Sequence, residues 1–220
     1  MKRRTKPNHT HTNSLIERGY QVVVGVDEVG RGSLAGPVTA AAVILPGDIK
    51  IRGANDSKLL DAFTREKLAK KIRSEAIAVG VGWASHGEVD HYGLTWAVRA
   101  SGLRALADMG REYDAVLLDG NHNYLKDHCF AETVIKGDQR CLNVACASIV
   151  AKVARDSYMR RMHEIYPKFG WLTNVGYATK EHLEAMKANL SPLHRRLFTP
   201  VARLNQTQMA EFYERIGAAE

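Results

Sequence analysis

Four acidic residues stand where this sequence is best placed to do chemistry. Asp27 and Glu28 are adjacent, close the apolar run 21–27 and precede Gly30-Arg31-Gly32. Asp119 ends the short run Ala115-Val116-Leu117-Leu118 and is followed by Gly120-Asn121, while Asp138 follows Lys136-Gly137. Taken singly, Asp119 and Asp138 read equally well as turn acids, because aspartate beside glycine is common loop chemistry. Asp27-Glu28 is harder to read that way, since two charges end a run of valines with no basic neighbour before Arg31. Adjacent carboxylates raise one another's pKa unless positive charge lies between them. Hard divalent cations, Mg2+ or Mn2+, supply that charge through oxygen ligands. Carboxylates converging at strand ends are the donor set of two-metal phosphodiester cleavage.

A second group is basic. In the helix expected after Leu142, Ser148, Lys152 and Arg155 follow one another at i, i+4 and i+7 and share a face. Two cations and a hydroxyl on one stripe suit a phosphate backbone, and a solvated helix face explains each residue alone equally well. Asp156 lies four residues from Lys152 and reads as its structural ion pair. The nine histidines show no ligand spacing. His86 and His91 flank Glu88 and Asp90, but that segment reads as a helix start whose acids serve the helix dipole, so no histidine is given a metal role.

The elements that must position these groups alternate. Residues 21–27, 38–45, 78–84 and 115–118 read as buried strands, and 132–135 as an edge strand. Helices are expected over 62–76, with Asn55-Asp56-Ser57 as N-cap chemistry and Phe63, Leu68 and Ile72 as the apolar stripe. Further helices are expected over 88–109, 142–164, 180–188 and 206–216. One α/β domain is the economical reading: a basic, flexible arm over 1–19, a catalytic domain over 20–205, and a C-terminal helix or tail over 206–220.

The chain has 220 residues and a formal net charge of +7. At 45% hydrophobic and 25% charged it is globular rather than disordered or fibrous. Its longest apolar run, 37–46, falls short of the roughly 20 residues a membrane helix needs. Lys2, Arg3, Arg4 and Lys6 lie in the first fourteen residues; without them 27 basic residues face 24 acids, a net of +3. A second basic block, with Lys187, Arg195, Arg196 and Arg203 and no acid, spans 185–210. It reads as a solvated face or a clamp on backbone phosphates. Cys129, Cys141 and Cys146 have no paired spacing and read as reduced thiols of a cytoplasmic protein, with Cys146 a core side chain.

Read in order, the motifs become specific. Gly25-Val26-Asp27-Glu28-Val29-Gly30-Arg31-Gly32 resembles the opening signature of ribonuclease HII, the type 2 ribonuclease H. Asp56-Ser57-Lys58, Leu118-Asp119-Gly120-Asn121, Lys136-Gly137-Asp138, the stretch 147–156 and Gly176-Tyr177 follow in the family's order. The resemblance runs from about Tyr20 to Val201. It implies a ribonuclease H-like α/β fold, a central mixed β-sheet flanked by helices with a helical C-terminal part that grips the duplex. It also implies a metal site of Asp27, Glu28, Asp119 and Asp138 holding two divalent cations. Gly30, Arg31 and Gly32 would read the ribonucleotide, and glycine lets backbone approach a sugar whose 2′-hydroxyl both donates and accepts. Tyr177 would pack on the sugar that follows it, and Ser57 and Lys58 would face phosphates. The implied enzyme is a monomer that cuts RNA in RNA–DNA hybrids and 5′ of ribonucleotides embedded in DNA, leaving a 3′-hydroxyl and a 5′-phosphate. Such activity serves ribonucleotide removal and Okazaki primer processing.

Three positions depart from the family pattern: Gln139 stands for a serine, Ala178 for proline or glycine, and Cys146 for alanine. Two other classes compete. A junction-resolving DNA nuclease would share the carboxylates but gives no reason for Gly-Arg-Gly or Tyr177. A non-catalytic RNA-binding protein would live on its basic surplus, yet the expected strands carry almost no stacking aromatic beyond Trp83.

Overall fold

A computed structural model describes residues 6–54, 57, 60–204 and 206–207. Five strands form one sheet in the order β3-β2-β1-β4-β5. They are β1 (Val23–Val29), β2 (Val38–Ile44), β3 (Ala78–Ala84), β4 (Ala115–Asp119) and β5 (Ala131–Val134). β1 pairs antiparallel with β2 and parallel with β4, so the sheet is mixed. As expected, the last strand lies at the edge.

Helices cover both faces, which is why β2 is buried along its whole length. Even-numbered residues of β1 and β2 (Val24, Val26, Ala40, Ala42) face α4 (Leu94–Asp108). On the other side Ala41 and Val43 meet Cys146, Ile149 and Val150 of α6 (Leu142–Ile165). Both helices lie directly on glycines: a Cβ at Gly25 would stand 2.3 Å from the Asn143 carbonyl carbon, and one at Gly82 2.1 Å from Ser101 O. A separate apolar cluster joins Leu34, Met159, Phe169, Trp171, Val175 and Met186. It knits the end of α6 to α7 (Trp171–Asn174) and α8 (Lys180–Ala188) and builds the helical C-terminal part.

Four expectations need correction. The arm is not free over its second half: α1 (Thr10–Glu17) buries Leu15 against Val23, Leu117 and Val144, and His9 Nε2 bonds Ile49 O at 2.9 Å. A helix that buries so few side chains carries little apolar period to read. Helix α2 (Ala62–Glu75) is capped by Asp61, whose carboxylate accepts from Thr64 N, rather than by 55–57. Its Phe63 is 77% exposed, and Ala69 joins Leu68 and Ile72 in the core. The long helix of 88–109 is two, α3 (His86–Tyr92) and α4, because Gly93 adopts φ 84 between them. The expected last helix lies outside the described residues apart from 206–207.

All three cysteines are free, with Cys141 and Cys146 buried. Among the described residues no helix is long and apolar enough to cross a membrane.

Candidate active site

The acids meet at the carboxyl ends of the parallel pair, where open α/β sheets bind their ligands. Val26 of β1 pairs with Leu118 of β4, so Asp27 and Asp119 are the next residues along neighbouring strands. β5 ends beside Asp119, in register with Val134. Lys136 then takes a left-handed conformation, φ 57, which turns Gly137 N onto Asp119 Oδ1 at 2.7 Å. That turn starts α5 (Gly137–Arg140) and sets Asp138 in its first turn. Asp27, Glu28, Asp119 and Asp138 thereby line one cavity of about 460 Å³, together with Gly30, Arg31, Gly32, Ser57, Ser148, Lys152 and Tyr177.

Strand alternation sends the adjacent pair to opposite faces. Asp27 points toward α6, accepts from Glu28 N at 2.8 Å, and is influenced by the Ser148 hydroxyl, which lies 3.0 Å from that of Ser57. Glu28 points the other way, pairs with Arg31 Nη1 at 3.0 Å, and accepts from Tyr124 Oη at 3.5 Å. Burial drives the Asp27 carboxyl well above the usual carboxylate range, and the charges of Glu28, Asp119 and Asp138 add to it. Glu28 is raised too, first by burial, with Arg31 opposing.

Among the described residues no three His, Cys, Asp or Glu side chains form a ready-made ion cage. Three of the acids are tethered instead to donors of their own: Asp27 to Glu28 N, Glu28 to Arg31, and Asp119 to Gly137 N. The donor set still fits hard divalent cations. It is carboxylate oxygen throughout, it surrounds one cavity, and the repulsion that raises Asp27 is the kind a cation relieves.

Of the other expected residues, Arg31 is exposed at the cavity rim and Gly32 lines it with open space where a Cβ would stand. Lys152 bonds Asp156 at 2.8 Å, the ion pair expected, and also lines the cavity. Tyr177 lies with its ring 5.8 Å from Lys152 Nζ. Ser57 and Ser148 are buried and bond each other, so both stand behind Asp27. Lys58 lies outside the described residues.

One assignment changes. Arg155 is neither a phosphate contact nor on a solvated face, for it is fully buried and donates to Pro37 O, Val175 O, Ala35 O and Ser33 Oγ. Gly30 lines the cavity and also packs on Arg155, since at φ +90 its missing Cβ would stand 2.3 Å from Arg155 Nε.

The Ribonuclease HII family model matches residues 24–201. A ribonuclease HII of Cereibacter sphaeroides is 48% identical over 202 residues, covering 90% of this chain and 93% of the relative. One from Enterococcus faecalis is 42% identical over 189 residues, covering 86% and 73%. The chain belongs to the ribonuclease HII family. It is thus an enzyme, a ribonuclease H that cleaves within a strand by metal-dependent hydrolysis. A solved ribonuclease H2 from Pyrococcus horikoshii matches with a TM-score of 0.75 at 23% identity, over 85% of this chain and 98% of that one. The fold is ribonuclease H-like, as the motifs implied.

Within this family member, three residues packed around the site escape a reading of sequence alone. Tyr124 is buried against Gly102 and reaches Glu28 from outside every motif. Arg195 belongs to the basic block expected to be solvated or to grip phosphates. It is instead fully buried, donating to Arg31 O and Gly36 O, each at 3.0 Å. His182 is fixed by chemistry: the Trp171 indole N–H can only donate, so His182 Nε2 accepts it at 3.1 Å. Its proton then sits on Nδ1 and is donated to Tyr177 O at 2.8 Å. A charged residue behind a glycine-rich turn carries no periodic signal.

Proposed function

We propose that this enzyme hydrolyses the RNA strand of RNA–DNA hybrids and cuts 5′ of single ribonucleotides embedded in duplex DNA, leaving a 3′-hydroxyl and a 5′-phosphate. Asp27, Glu28, Asp119 and Asp138 hold two divalent cations, Mg2+ or Mn2+. Once bound, these ions supply the charge that activates a water and stabilises the departing 3′-oxygen. The observation carrying this reading is one cavity that combines four carboxylates with Arg31, Lys152 and an aromatic ring. Acids alone would repel a polyanion, and cations alone would bind it without cutting.

The chain's own residues divide the remaining work. Ser148, backed by Ser57, lies beside Asp27 and favours its charged form. Gly137 N donates to Asp119. Gly32 leaves space for a sugar to approach the backbone, and Arg31, released from Glu28, supplies donors at the rim. Tyr177 offers a ring face to the following sugar. Its cleaved products serve removal of misplaced ribonucleotides and of RNA primers. All four carboxylates come from a single chain, so a monomer suffices, and three free thiols suit the reducing cytoplasm.

The test is substrate selection by the Arg31→Ala protein. Its discrimination of ribose from deoxyribose at a single embedded position should relax. Intact selectivity removes Arg31 from recognition. Metal-dependent cutting by an Asp27→Asn protein would defeat the assignment of the site itself.

A further inference from the structure

Tyr177 and the Gly30–Gly32 turn are far apart in sequence, yet one side chain holds both. Arg155 is fully buried. On the turn side its Nη2 donates to Ser33 Oγ at 2.8 Å and Ala35 O at 3.0 Å, and its Nε to Pro37 O at 2.9 Å. Ser33 Oγ passes the link on by donating to Gly30 O at 2.9 Å. On the tyrosine side Nη1 donates to Val175 O at 2.8 Å.

The mount of Tyr177 is over-determined. Val175 O is taken by Arg155, Gly176 O by Leu34 N at 2.8 Å, and Tyr177 O by His182 Nδ1. Val175 is held at φ 43, a left-handed conformation foreign to a β-branched residue. Strain of that kind persists where surroundings enforce it, and it gathers at sites whose geometry matters. Next to it, a Cβ on Gly176 would stand 2.7 Å from Ala35 O, so the two segments are in backbone contact. The guanidinium carbon of Arg155 also lies 5.4 Å from the centre of the Tyr177 ring. A guanidinium is a rigid planar fork, whereas an ammonium is a point charge on a flexible stem. Only the fork fixes a distance between the two groups of acceptors.

We propose that Arg155 is a positioning residue that sets the spacing between the Gly30–Gly32 turn and Tyr177, making them one gauge for an isolated ribonucleotide. This rests on the proposed function. A continuous hybrid presents ribose in every register, so a loosened gauge still finds a match. A lone ribonucleotide satisfies turn and ring in one register only.

The experiment measures kcat and KM on two duplexes, a uniform RNA–DNA hybrid and a DNA duplex with one ribonucleotide. The proteins are wild type, Arg155→Lys, Ser33→Ala and Val175→Gly, each checked for a cooperative thermal melt. In Arg155→Lys the single-ribonucleotide to hybrid ratio of kcat/KM should fall about tenfold, the effect of one hydrogen bond from a charged donor. Ser33→Ala removes the hydroxyl that links Arg155 to the turn and should lower the ratio about threefold, as for one hydrogen bond. Val175→Gly leaves the carbonyl contact with Arg155 but loosens the backbone beside the ring, and should lower the ratio in the same direction. Because these two keep the guanidinium, they decide the matter even if Arg155→Lys fails to fold. Ratios that stay at the wild-type value, or activities that fall in parallel on both duplexes, overturn the gauge alone. A wild-type protein that cuts neither duplex overturns the functional reading and the gauge with it.

Discussion

Gly30 and Gly32 sit two residues apart in the same turn, and the same substitution should do opposite things to them. At Gly30 alanine meets two penalties. Its φ of +90 lies in the left-handed region, which costs a side chain roughly 1–2 kcal/mol. Its Cβ would also stand 2.3 Å from Arg155 Nε and 2.7 Å from Pro37 O, and overpacking of that kind costs about 1–3 kcal/mol. The sum, about 2–5 kcal/mol, corresponds in a chain of this size to a melting temperature lowered by roughly 4–20 °C. Gly32 has no such conformation and nothing within 4 Å of its Cβ position. Gly32→Ala should therefore leave stability within about 1 kcal/mol, and on the stabilising side through the unfolded chain. Its methyl group, however, stands at the cavity wall, so cleavage at an embedded ribonucleotide should drop about tenfold or more. Differential scanning calorimetry and single-turnover cleavage read the two effects separately. A Gly30→Ala protein that melts with the parent, or a Gly32→Ala protein that loses as much stability, refutes the packing argument.

Two further outcomes follow from buried charge. Asp27 has its folded pKa raised above the ordinary 3.8, so its contribution to stability is present below that pH and is lost as pH rises through the folded value. Asp27→Asn should therefore melt above the parent at pH 8 in chelator, with the gap closing toward pH 4, while cleavage is abolished; a lower melting point at pH 8 contradicts this. His194 runs the other way: burial, with His182 beside it, presses it down to about 3. Its contribution is present above 6.5 and is lost as pH falls toward 3, with a slope approaching about 1.4 kcal/mol per pH unit. Urea melts at pH 7 and pH 5 should show this acid loss, and His194→Asn should flatten it.

The sheet and its acids were legible because their signals are local. β1 and β2 are continuous apolar runs, and charged residues that end a buried run mark the sheet's edge. Asp119 and Asp138, ambiguous singly, are joined by the Lys136 turn and its Gly137 N–H, a contact across 18 positions that spacing does not announce. Arg155 and Arg195 misled for a physical reason. A pattern of polarity sends arginine outward, and what draws these two inward is a set of backbone carbonyls left unpaired by an irregular glycine-rich loop. Helix α1 escaped because Thr12 and Leu15 are its only buried residues, leaving no stripe. The Gly93 break hid inside a helical pattern that continues on either side.

The central claim is that this cavity cuts at ribose with the help of divalent cations. It is tested most directly with an end-labelled DNA duplex carrying one ribonucleotide, beside an all-DNA duplex, in Mg2+ or Mn2+ and in chelator. The account predicts one cut on the 5′ side of the ribonucleotide, with a 3′-hydroxyl and a 5′-phosphate, only when metal is present, and lost in Asp119→Asn. Cleavage of the all-DNA duplex, or cleavage that survives chelation, would contradict it.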